Sequence, residues 1–175
     1  SQLLLGKFLG QGSIIALATF LGFGTSAVLL YLNLGSSELV TTFAVFIASA
    51  ILLGLSFTAI AYILSLLVSE KSKAAGLALI VWFLFALAFD LVMLALLVGV
   101  EDGLSQQGLT QLMMLNPSDI FRLVNMAGLD STDVNGVLAV AINASMGQGA
   151  LFALLLLWVL LPLSVAIAIF RKKKL

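Results

Sequence analysis
The sequence has 175 residues, of which 62% are hydrophobic and 9% charged. A soluble domain carries about 45–50% apolar and about 25% charged residues, so this chain belongs in a bilayer. Its net charge of zero gives no bulk attraction for nucleic acid. The absence of histidine and cysteine removes disulfides, most zinc sites, and haem or iron–sulfur ligation through those residues.

The chain begins at Ser1 and enters an apolar helix after seven residues, with no cleavable leader pattern, so it reads as an N-terminally truncated fragment. Residues 8–31 form the first predicted span, about 24 residues against the about 20 needed to cross the hydrocarbon. Gly12, Ala16, Thr19, Gly22 and Ser26 fall near one face, and Gly6 and Gly10 add a GxxxG spacing. Small residues let a second helix approach closely, and plain helix packing accounts for them.

A short polar turn, NLGSSE at 33–38, leads to a second span over 39–68. Thr42, Ser49 and Ser56 recur on one face; they either line a polar path or subunit contact, or bond back to their own helix carbonyls or to a neighbour. SEKSKAA at 69–75 reads as the next turn, with Glu70, Lys71 and Lys73. The third span, 76–99, contains Asp90, the one ionisable residue deep in a span. A carboxylate at mid-membrane costs roughly 2.5–3.5 kcal/mol on insertion scales, so it should face protein or water. Protonation, pairing with a residue in the missing part, and a place in a transport conduit are all open to it.

The segment 100–147 separates the third and fourth spans. A structureless loop of that length is uncommon, so short amphipathic helices in an interfacial layer, partly dipping into the membrane, are expected. Its best-formed element is LMMLNPSDIFRL at 112–123. Asn116 suits the N-cap and Pro117 the first helical position. Asp119, at the third position, makes a capping-box variant at the positive helix end, with Arg122 in reach. Ile120, Phe121, Leu123, Val124 and Met126 form an apolar surface, and Gly128 offers a stop. Asp130 to Asp133 read as a further helix start, and the sequon at Asn143 carries little weight. The fourth span covers 148–170, with Trp158 and a kink-forming Pro162 inside it. The fold expected is all-α and polytopic: one membrane domain with four spans.

The basic residues set the orientation. Lys7, Lys71, Lys73 and Arg171 to Lys174 fall on one side if each apolar run crosses once; Arg122 alone falls on the other. The positive-inside rule then makes both ends cytoplasmic and 100–147 external. No Walker sequence, histidine triad, second embedded carboxylate or basic voltage-sensor run is present, so no enzyme active site and no directly bound cofactor or metal is expected.

LLGKFLG at 4–10, leading into a Gly/Ala-rich span, resembles the start of the third membrane helix of ABC-2-type ABC transporter permeases. The long outer segment before the last span and the terminal basic cluster fit the same family. More narrowly, LLLGKFLGQ at 3–11, SEKSKAAG at 69–76, WFLFALAFDL at 82–91, LNPSDIFRL at 115–123 and WVLLPL at 158–163 resemble permeases serving nitrous oxide reductase maturation. The resemblance implies an inner-membrane permease of six helices, paired as a homodimer, with a separate ATPase subunit that binds ATP and magnesium. It also implies a periplasmic accessory protein and delivery of a sulfur species for a copper centre. Two helices and most of the cytoplasmic coupling helix, the expected main ATPase contact, are then missing from this fragment. Lys7, Glu70, Lys71 and Lys73 become candidate ATPase contacts. Asn116, Pro117, Asp119 and Arg122 become candidates for an outer gate or docking surface, and Asp90 for transport or helix pairing. The rivals are an ion-coupled secondary transporter using Asp90 and a non-transporting membrane anchor of an assembly complex.

Overall fold
A computed structural model describes residues 2–35, 37–99, 106–126 and 146–173. The expected stop at Gly128, the helix start at 130–133 and the sequon at Asn143 lie outside the described residues.

Among these residues every regular element is a helix. Helix α1 spans Gln2–Leu34 and α2 spans Ser37–Leu67. The third crossing is α3, Lys71–Phe83, a π-helical stretch Leu84–Ala88, and α4, Phe89–Gly99. Two short helices follow, α5 at Gln106–Met113 and α6 at Pro117–Met126, and then α7 at Gln148–Lys172. Four of the described helical stretches are long and apolar enough to cross a membrane, the same number as the predicted spans. They are apolar around their whole circumference, as helices in lipid are, whereas α5 and α6 are amphipathic.

The turns are shorter than the sequence suggests. Gly35, at φ 68°, ends α1, and its N–H bonds the Tyr31 carbonyl at 2.8 Å. A glycine just past the helix takes this left-handed conformation without steric cost. The second turn, 68–70, keeps only residues 69 and 70 of the predicted 69–75, because α3 already begins at Lys71.

Helix α2 is the hub, packed against α1, α3, α6 and α7. Gly12 makes the α1 contact possible: a Cβ there would lie 2.9 Å from Leu55 Cδ2. Gly54 does the same from α2, where a Cβ would lie 3.1 Å from Ile15 Cγ2. Gly22, Gly6 and Gly10 are not used this way. Gly22 and Ser26 are exposed, and Gly6 and Gly10 have open space beside them.

Two apolar cores divide the bundle. One, at the lysine-bearing end, joins Leu4 and Phe8 of α1, Ala59 of α2, and Val159 and Leu163 of α7. The other joins Met93 of α4, Met113 of α5, Ile120, Leu123 and Val124 of α6, and Leu151 and Leu155 of α7. Helix α6 is therefore part of the bundle.

Candidate functional site
Three contacts show how deep α5 and α6 reach. Arg122 of α6 pairs with Asp90, nine residues or ~13 Å before the end of α4 at Gly99. Asn125 Nδ2 donates to Ser49 Oγ at 3.0 Å, and Ser49 lies ~18 Å along α2 from its start at Ser37. Trp158 Nε1 donates to the Met114 carbonyl at 3.1 Å, and Trp158 lies ~15 Å along α7 from Gln148. The ends Ser37, Gly99 and Gln148 share one side of the bundle. The α5–α6 pair is thus a re-entrant hairpin whose tip, near Met114–Asn116, sits far inside that end.

A backbone reversal at such a depth needs partners for its polar groups. The Leu115 and Asn116 amides donate to the Leu112 and Met113 carbonyls at 3.0 and 3.1 Å, and Trp158 takes the Met114 carbonyl. Asn116 then caps α6, its Oδ1 accepting from the Ser118 amide at 2.9 Å. Pro117 fills the first helical position, where its missing N–H leaves no donor unsatisfied. Asp119 departs from the expected capping box. Its Oδ2 accepts from the Asn116 side-chain Nδ2 at 3.1 Å, while the Asn116 backbone amide is already spent on Met113.

The π-helical stretch of the third crossing supplies the other half of the site. An i→i+5 turn breaks the regular carbonyl ladder and leaves acceptors available for side chains. The Phe85 carbonyl accepts from Asn116 Nδ2 at 2.7 Å, and the Ala86 carbonyl from Arg122 Nη2 at 3.4 Å. Arg122 Nη1 bonds Asp90 Oδ2 directly and lies 3.4 Å from Asp119 Oδ1. One guanidinium thus serves two carboxylates and one carbonyl. Asp90 finds its partner within this chain, on the segment expected outside the membrane.

Burial differs across the cluster. Asn116 and Asp119 are buried, whereas the side chains of Arg122 and Asp90 keep 33% and 38% of their exposure, enough to meet water or a moving group. Asp119 lies on α6, outside the four spans, and burial pushes its carboxyl up to about 7; the Asp90 carboxylate adds to the rise and Arg122 opposes it. No group of three or more metal-binding side chains occurs among the described residues.

Aromatic contacts brace the hairpin on both flanks. Phe46 of α2 meets Phe23 of α1 at 4.7 Å and Phe121 of α6 at 5.6 Å, both edge to face. Phe85 meets Phe57 of α2 at 6.3 Å and Trp158 of α7 at 5.8 Å. Gln148 Nε2 also donates to the Val124 carbonyl at 3.3 Å.

The serine stripe of α2 takes the local option. Thr42 and Ser56 bond their own helix carbonyls, Glu38 and Leu52, at 3.1 and 2.8 Å. Ser49 bonds Phe46 at 3.0 Å and also accepts from Asn125. At the opposite end of the bundle, Lys73 pairs with Glu70 at 2.9 Å in an exposed bridge, and Lys7 lines a separate cleft. Lys71 is exposed.

Sequence reasoning found Asn116, Pro117, Asp119, Arg122 and Asp90 and missed what holds them together. Trp158 carried a usable signal, since an indole N–H deep in a span must find an acceptor. Asn125 carried a weaker one, a second amide one turn beyond Phe121. The π-turn had none, being a backbone irregularity inside the uniformly apolar LFALA.

The whole chain, residues 1–175, matches the model of the ABC-2 family transporter proteins. It is 44% identical over 175 residues to the probable ABC transporter permease protein NosY of Pseudomonas aeruginosa. It is 47% identical over 176 aligned positions to the protein of the same name from Stutzerimonas stutzeri. Both alignments cover 98% of this chain and 64% of the relative's length. A re-entrant hairpin clamped between the last two spans is thus set in a multi-pass permease framework, and the chain belongs to the ABC-2 family of transporter proteins.

Proposed function
We propose that the α5–α6 hairpin is the outer gate of an ABC-2 permease, and that the clamp of Arg122 and Asn116 on Asp90 and the π-turn holds it closed. That clamp is the single observation carrying the reading: three polar contacts join segments 31 to 36 residues apart, and three more tie Asn116, Ser118, Asp119 and Arg122 to one another. A π-turn in a span allows two discrete backbone registers, and packed helices switch between such states rather than bending continuously. ATP binding and hydrolysis, with magnesium, take place in a separate ATPase subunit at the lysine-bearing end, where Lys7, Glu70, Lys71 and Lys73 are contact candidates. A second copy of the permease completes the pathway, and both ends of this chain face the cytoplasm of the bacterial inner membrane. Asp119 and its neighbours meet a periplasmic accessory protein when the hairpin lifts.

The cargo is a small component, a sulfur species, delivered for the copper centre of nitrous oxide reductase. The relatives named NosY and the five matching sequence pieces support that assignment.

The test is complementation of a permease-deleted strain with the full-length protein, scoring copper-centre assembly in nitrous oxide reductase. Wild type with an active ATPase should restore assembly, and Arg122→Gln should reduce it while membrane insertion is retained. Normal assembly with a hydrolysis-dead ATPase would instead identify a passive anchor. Assembly that follows an imposed ion gradient and is lost in Asp90→Asn would identify an ion-coupled carrier.

A further inference from the structure
A cleft of about 370 Å³ lies at the end of the bundle opposite the hairpin, between α1, α2 and α7. Leu4, Leu66 and Phe170 give it an apolar wall; Lys7, Gln11 and Tyr62 give it a polar rim. Among the described residues no carboxylate lines it. Tyr62 donates its hydroxyl to Gln11 Oε1 at 2.6 Å, which fixes the amide and leaves its nitrogen as a donor. Lys173, just past the end of α7, bonds the carbonyl of Leu66, so a second ammonium stands beside the wall.

We propose that this cleft binds one anionic phospholipid of the cytoplasmic leaflet, its phosphate against Lys7 and Lys173 and the start of its acyl chain along Leu4, Leu66 and Phe170. The leaflet rests on the orientation proposed above; the chemistry rests on the cleft. Two ammonium groups and an amide donor, with no opposing carboxylate among the described lining residues, select a phosphate with net negative charge. A zwitterionic headgroup would bring its own ammonium against the lysines. A free phosphate ion would leave the apolar wall unused. Basic pockets between membrane helices at the cytoplasmic face are suited to this class of ligand.

The experiment uses the purified full-length complex in phosphatidylcholine nanodiscs, with and without phosphatidylglycerol, and counts retained lipid by native mass spectrometry. One tightly held phosphatidylglycerol per permease is expected, not displaced by excess glycerol phosphate. Lys7→Gln with Lys173→Gln should weaken retention about thirtyfold, which corresponds to about 1 kcal/mol per lysine near the surface. Lys71→Gln with Lys73→Gln removes the same charge at the same end and should leave retention unchanged. Ser65→Trp, at an exposed lining position, blocks the mouth with every charge kept and should abolish retention. Equal losses in the two lysine pairs, or retention in Ser65→Trp, would overturn the proposal. So would a photo-crosslink from position 65 to a protein segment filling the cleft.

Discussion

Arg122 of α6 and Asp90 of α4 are 32 residues apart in sequence and joined by an ion pair that fastens a re-entrant helix to a membrane span. Both side chains keep about a third of their exposure, so the pair is neither a solvated surface bridge nor a sealed interior one. Its strength should fall between the ~1 kcal/mol of the former and the ~3–5 kcal/mol lost on breaking the latter. Arg122→Gln and Asp90→Asn should each destabilise the protein within that range. The double variant should cost less than the sum, as read from thermal unfolding of the full-length protein in a double-mutant cycle. Additive effects would mean the two residues act separately. Arg122→Lys should not rescue, since an ammonium cannot reach two carboxylates and the Ala86 carbonyl together.

Asn116 does two jobs that substitution can separate. Its oxygen caps α6 and its nitrogen holds the Phe85 carbonyl and Asp119. Asn116→Ala should lose both, costing about 1–2 kcal/mol for the cap and more for the stranded carbonyl. Asn116→Asp keeps a cap acceptor but sets a carboxylate against the Phe85 carbonyl, so it should also loosen the hairpin. The chain has no native cysteine, so thiol labelling at Ser118→Cys, a position buried in the seated hairpin, reports the opening directly. Labelling should speed up in both variants. An unchanged rate in Asn116→Ala would show that the tip is held by Trp158 and the backbone alone.

The raised pKa of Asp119 gives the hairpin a pH dependence with a definite sign. The seated carboxyl, at about 7, holds its proton more tightly than in the unfolded chain, where its reference value is 3.8. Its contribution to stability is therefore fully present below the unfolded value. It declines as pH rises from there through about 7. Asp119→Asn should flatten the slope of stability against pH in that window. A slope unchanged by Asp119→Asn would assign it to other carboxylates.

Glycines of similar appearance on α1 should respond differently to enlargement. Gly12→Leu drives a side chain into Leu55 and should cost about 1–3 kcal/mol through overpacking. Gly22→Leu, with open space beside it, should be nearly neutral within this bundle. Thermal unfolding of the two variants checks this. A large loss at Gly22 would reveal a further helix packed there in the full-length protein.

Composition and periodicity alone determined the membrane class, the four crossings and the cap at Asn116. These are local quantities: hydropathy over a span's length, and residues within one turn of each other. The same local view placed Asp119 within reach of Arg122 and marked Asp90 as needing a partner. It could not supply that partner, because the pair forms only when α6 folds back among α2, α4 and α7. Nor could it separate Gly12 from Gly22, since close approach is a property of two helices rather than one. The π-turn was likewise decided by tertiary structure: its freed carbonyls are stabilised by Asn116 and Arg122, side chains 31 and 36 residues further on.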